Sequence, residues 1–117
     1  MKGDELKQRT KDFALRIMKL VDALPNSTAG KTIANQIMRS GSSVGANYRA
    51  ACRARSNAEF IAKIGIVLEE ADETEFWLEL IMEGELLPNE KIESLKKEAE
   101  ELTAIMAASR ITAQNNK

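Results

Sequence analysis

The stretch Ile33-Ala34-Asn35-Gln36-Ile37-Met38-Arg39-Ser40-Gly41-Ser42-Ser43-Val44-Gly45-Ala46-Asn47-Tyr48-Arg49-Ala50-Ala51 decides the fold. Its small residues, Ser40 to Ser43 with Gly45, have the composition of a loop, and each glycine costs about 1 kcal/mol against alanine inside a helix. The apolar residues argue the other way. At about 100° per residue, Ile33, Ile37, Val44, Tyr48 and Ala51 keep one face across the small-residue run, a phase that a flexible loop would not preserve. The pattern predicts one long helix, capped at its start by Ser27 or Thr28, whose small residues permit close approach of a neighbour.

Helical periodicity continues on both sides. Leu6, Phe13, Ile17, Leu20 and Leu24 share a narrow arc that Pro25 ends. Ser56-Asn57-Ala58-Glu59 has the form of a capping box, and after it Phe60, Ile64, Val67, Leu68, Ala71, Leu78 and Met82 lie on one broad face up to Gly84, a natural stop. Leu86 to Asn89 turns the chain. Ile92, Leu95, Ala99, Leu102, Met106 and Ala113 then define a last helix, with fraying expected from Gln114 onward. The expected helices are roughly 4–24, 28–54, 57–83 and 89–112 in a single domain over 1–117, an all-α, antiparallel up-down four-helix bundle with a long second helix.

Composition excludes much chemistry. The chain has 117 residues with no His and one Cys. The commonest general base and transition-metal ligand are missing, and no internal disulfide is possible. No apolar run approaches the ~20 residues of a membrane span, and the charged Met1 to Lys11 does not resemble a signal peptide. A soluble, cytoplasmic, non-enzymatic protein without cofactor, metal or membrane partner is expected. Cys52, beside the core face of the second helix, reads as a packed, unreactive thiol.

Two motifs invite chemistry and fail on context. Pro25-Asn26-Ser27-Thr28-Ala29-Gly30-Lys31-Thr32 ends like a phosphate-binding loop, but Pro25 stands where that loop needs glycine, and the preceding stretch is helix-periodic rather than a strand. It reads as a helix start. Glu69, Asp72, Glu75, Glu79 and Glu83 share one side of the third helix, yet a carboxylate metal bundle also uses inward Glu-x-x-His pairs, which this chain lacks. The stripe reads as solvated or facing a basic neighbour.

A near-neutral total, 17 basic against 18 acidic residues, hides segregation: Lys31 to Leu68 holds six basic and one acidic residue, Glu69 to Glu101 three and thirteen. On the second helix Lys31, Arg39, Arg49 and Arg53 oppose the apolar face, with Asn35 and Ser42 between them, and Arg55 and Lys63 extend the charge toward the third helix. Guanidinium groups bind phosphate oxygens bidentately, so these six are candidates for contacting RNA or DNA. An acidic stripe of another subunit would satisfy the same residues. Asn47, next to the apolar face, is expected to fix helix register by hydrogen bonding. Ile66, Phe76, Trp77 and Leu80 lie far around the third helix from its core face and are candidates for an interface between copies. The competing reading is a broad core that absorbs Trp77.

The ordered series Gln36 to Ser40, Ser43-Val44-Gly45-Ala46-Asn47-Tyr48-Arg49, Ser56 to Phe60 and Asp72-Glu73-Thr74-Glu75-Phe76-Trp77-Leu78-Glu79-Leu80 resembles the four-helix-bundle proteins encoded in intervening sequences of bacterial large-subunit ribosomal RNA. The likeness runs from about Phe13 to Met106. It implies an up-down-up-down bundle assembled into a ring-like homo-oligomer, a pentamer, with no assigned catalytic residue. Family members are linked by genomic position to ribosomal RNA, and similar bundles act as nucleic-acid-binding accessories beside a reverse transcriptase. Ala50 and Ala51 depart from the Glu-containing pair many members carry. The resemblance therefore implies a binding scaffold for RNA, or alternatively a protein-interaction module accessory to a mobile-element enzyme.

Overall fold

The computed structural model describes residues 2–116. Among them are four helices and no strand: α1 (Lys2–Ala23), α2 (Thr28–Cys52), α3 (Asn57–Glu83) and α4 (Glu90–Asn115). The molecule measures 48 × 21 × 21 Å, close to the ~40 Å length of a 27-residue helix and the width of two helices. α2 runs unbroken through Ser40 to Gly45, as the apolar phase predicts. At 25 residues it is no longer than α3, with 27, or α4, with 26, so composition rather than length sets it apart.

Helix starts follow the capping residues. Ser27 Oγ accepts from the Gly30 N–H at 3.0 Å, and Ser56 Oγ from the Glu59 N–H at 3.1 Å. The Gly-Lys-Thr triplet is thus the first turn of α2. Gly30 is there for space, since a Cβ would stand 2.0 Å from the Pro25 carbonyl oxygen. α4 continues to Asn115 instead of fraying from Gln114, because Asn57 Nδ2 at the start of α3 donates to the Ala113 carbonyl at 2.7 Å. That bond satisfies one of the carbonyls a helix end leaves open.

α3 ends at Gly84, but Gly84 itself has an ordinary φ of −79°, and the left-handed residue is Glu85, with φ 55°. Glu85 N–H donates to the Met82 carbonyl at 3.1 Å and Leu86 N–H to the Ile81 carbonyl at 3.0 Å, the paired bonds of a Schellman cap. Leu86 then packs on the core.

One hydrophobic cluster draws on all four helices. α2 packs between α1 and α3, α4 touches α3 and α1, and α1 and α3 do not meet. Small residues bring α2 close to its neighbours. A Cβ on Gly41 would lie 2.9 Å from Ile17 Cγ1, and Gly45 is seated against Thr10. Ser40, Thr74 and Thr10 are the buried polar residues among those described. Ser40 Oγ and Thr74 Oγ1 lie 2.9 Å apart across the α2–α3 contact, and Thr10 Oγ1 donates to the Leu6 carbonyl of its own helix at 2.8 Å.

Two substitutions separate these effects. Gly41→Ala improves helix propensity by about 1 kcal/mol but overpacks Ile17 at a cost of roughly 1–3 kcal/mol, so urea unfolding should show a net loss. Glu85→Gly should gain about 1 kcal/mol by relieving the left-handed conformation, with the m-value unchanged.

Candidate functional site

The outward side of α2 follows from the burial of its inner face. Lys31, Arg39, Arg49 and Arg53 are all exposed, but they are not equivalent. Arg39 reaches across to α3, where it bonds Glu70 at 3.2 Å and forms a short contact with Glu73. Glu73 also accepts from the Trp77 indole N–H at 3.0 Å. Trp77 and Arg39, in that order, hold the Glu73 carboxyl below the usual carboxylate range. Arg39 is therefore committed to its own chain and differs from the other candidates. Arg55, in the α2–α3 turn, lies 4.0 Å from Glu59, and Lys63 is half-buried on α3.

A groove of about 180 Å³ between α1 and α2 gathers cations that are distant in sequence. Lys7, Lys11 and Arg49 border it, and Thr10, Ala14, Ser42, Gly45 and Ala46 line the rest. Lys7 has an exposed acid, Asp4, at 4.0 Å. Arg53 stands one turn beyond Arg49 on the same side of α2. Lys7 and Lys11 escaped the sequence reading because the α1 pattern shows which arc is buried but not which flank turns toward α2. Their spacing of four, with Ala14 next on the same flank, is the only signal the sequence offers. On the other flank of α1, Arg9 is drawn to α4, where it bonds Glu98 and Glu101 at 2.8 Å each.

Asn47 Nδ2 donates to the Ser43 carbonyl at 2.9 Å, inside α2, so this bond does not join helices. Cys52 is exposed at the C-terminus of α2 rather than packed, since it is the last residue of the helix. Burial, then the contact with Cys52, pushes the Tyr48 phenol well above its ordinary pKa. The acidic residues of α3 also divide. Glu75 leans into the seam with α4, where burial and then Glu100 raise its pKa and Thr103 lies 3.4 Å away. No cluster with metal-ligand geometry occurs among the described residues.

Ile66, Phe76 and Leu80 are exposed, while Trp77 is half-buried against the core with Phe76 edge-on at 5.1 Å. Leu15 and Met18 on α1 are exposed as well, and the sequence reading did not single them out. No helix among the described residues is long and apolar enough to cross a membrane.

A family profile described as 23S rRNA-intervening sequence protein matches residues 4–108. A crystal structure of a protein of unknown function from the S23 ribosomal protein family of Bacteroides thetaiotaomicron is 39% identical. The match covers 89% of this chain and 96% of that one, with a TM-score of 0.83. No curated protein matches the chain.

Trp77 is the single tryptophan, so its fluorescence reports the Arg39–Glu73 contact. Because the folded-state pKa of Glu73 is depressed, its stabilising contribution is present above the unfolded carboxylate pKa and is lost as pH falls through the folded value. Trp77 emission should titrate below the ordinary carboxylate range, Arg39→Ala should move that inflection upward, and Glu73→Gln should remove it.

Proposed function

The chain belongs to the 23S rRNA-intervening sequence protein family, and on that premise we propose that it is a non-enzymatic cytoplasmic scaffold that binds structured RNA. In this reading the four helices form an up-down-up-down bundle, and copies assemble into a ring-like homopentamer. The observation that carries it is the α1–α2 groove: Lys7, Lys11 and Arg49 border a trough of small side chains, with Arg53 one turn further on. Small residues let a phosphodiester backbone approach closely, while long cations reach its oxygens from both sides. Lys31, five turns before Arg49, extends the track on the same side. Arg39, held by Glu70 and Glu73, supports α2 instead of the ligand.

A net charge of −1 makes this a local patch rather than a globally basic binder. Assembly compensates, because each added copy repeats the patch and raises the effective concentration for one RNA. The family's name ties it to sequences within 23S rRNA, which makes RNA the leading ligand over DNA.

Fluorescence anisotropy with a labelled 23S rRNA hairpin, at two salt concentrations, tests the reading. Wild-type affinity should fall steeply with salt. Arg49→Glu with Arg53→Glu should reduce binding at least tenfold and flatten the slope of log K against log salt by roughly 2, as expected for two lost phosphate contacts. Arg49→Lys should retain part of the affinity, since charge survives but the guanidinium fork does not. Arg39→Ala should leave the salt slope unchanged. Absence of RNA binding at low salt would overturn the proposal in favour of a protein-interaction module beside a mobile-element reverse transcriptase.

A further inference from the structure

Of the helix pairs that touch, α1 and α4 meet least extensively, and near the start of α1 and the end of α4 a cleft of about 370 Å³ opens. That volume lies in the range of small-molecule pockets. All four helices contribute to it. Leu6 and Tyr48 are buried and form its floor with the half-buried Phe60, whereas Asn57, Ser109 and Thr112 stand at its wall and rim.

The polar groups of this cleft differ from those elsewhere in the bundle. Thr10, Ser42, Ser43, Thr74 and Thr103 each return their hydroxyl to a carbonyl one turn back in their own helix. Ser109 and Thr112 have no such bond among the described residues, so both keep donor and acceptor capacity. Asn57 commits Nδ2 to the Ala113 carbonyl at 2.7 Å, which fixes its amide plane and leaves Oδ1 as an acceptor. The described lining residues include no Asp, Glu, Lys or Arg. An ion gains nothing from such a surface. A flat, neutral molecule with donors and acceptors along its edge fits it, and a nucleobase has that chemistry.

The cleft also adjoins the cations of α1 and α2. Leu6 precedes Lys7 and Tyr48 precedes Arg49, so the Cα atoms of each pair are only ~3.8 Å apart. Arg53 and Arg55 come just before Asn57, and the Cα of Arg55 lies within about 7 Å of that of Asn57. We propose that the cleft receives one unstacked base of a bound RNA, its polar edge met by Asn57, Ser109 and Thr112 while the neighbouring cations hold the adjoining phosphates. The proposal rests on the RNA reading above and adds base recognition to backbone contact. Sequence-specific RNA recognition relies on such splayed bases, because phosphates carry no sequence information.

Fluorescence anisotropy tests this with a labelled 23S rRNA hairpin and the same hairpin carrying abasic residues throughout its loop. Phosphates are then equal, and only the unstacked bases differ. Wild-type protein should bind the intact loop roughly fivefold or more tightly than the abasic one. Ala108→Trp fills the cleft from an exposed position, and Ser109→Ala with Thr112→Val removes its hydroxyls. Both variants should bring the ratio toward one with the salt slope unchanged, while circular dichroism shows unchanged helicity. Free adenosine lacks the phosphates and should displace the hairpin only at millimolar concentration. Displacement at the concentration of the hairpin itself would assign the cleft to a free nucleoside and overturn its assignment to RNA. Equal wild-type affinity for the two hairpins, or discrimination that persists in both variants, overturns the base site and leaves the phosphate reading standing. Absence of binding to either hairpin at low salt overturns the RNA reading, and the base site with it.

Discussion

The close approach of α2 to both of its neighbours is the constraint on which the rest of the structure depends. Where Gly41 meets Ile17 there is no room for a methyl group, and one residue earlier Ser40 faces Thr74 across the other contact. A larger residue at either position would push α1 or α3 outward. Native interiors have little free volume with which to absorb such a shift. The cost of placing glycine and serine inside a helix is offset by packing on two sides at once. That compensation explains how a stretch with the composition of a loop is held as the middle of a helix, since most helical stability in proteins comes from tertiary packing rather than propensity.

The same closeness decides which charges remain available. With α2 drawn against α3, Arg39 lies within reach of Glu70 and Glu73, and Glu73 is engaged by Trp77 as well. With α1 drawn against α2 at Gly45, Lys7 and Lys11 come to the border of a groove whose far side carries Arg49. α1 and α4 contact each other less extensively than the other neighbours, and there the long Arg9 spans to Glu98 and Glu101. Helix spacing thus sorts the cations into those that staple the fold and those that face outward. Exposed ion pairs contribute little stability on average, so the main consequence of this sorting is the charge pattern left on the surface.

Most of the fold was legible in the sequence because its signals are redundant. On α4, Ile92, Leu95, Ala99, Leu102, Met106 and Ala113 were read from periodicity alone and are buried. On α2, phase outweighed propensity and gave the right element. What escaped was polar or relational. Thr10, Ser40 and Thr74 are buried without apolar character to mark them, because each hydroxyl finds an acceptor or a second hydroxyl that only the folded chain supplies. The helical end at Asn115 depends on Asn57, far away in sequence, and Cys52 is exposed because α2 stops there. The candidate site was legible only in part for the same reason. Arg39 and Arg49 look alike along the chain, and the acids of α3 distinguish them.

A basic segment followed by an acidic one reads along the sequence as two halves of a charge pair, and folding joins them only in part. If α2 and α3 neutralised each other fully, the basic face would be a device of stability and the protein would need no ligand to explain it. Arg39 is the one α2 cation that reaches α3 acids in the described ion pairs, whereas Arg49 and Arg53 lie on the flank turned toward α1 and solvent, where Lys7 and Lys11 add like charge. Like charges gathered around one groove oppose folding slightly. Gly41 and Gly45 bring α1 and α2 together, and cations from both helices border the resulting groove, which concentrates positive potential there. Counter-charge supplied from outside the chain would relieve that repulsion, and this is the physical ground of the RNA-binding reading proposed above.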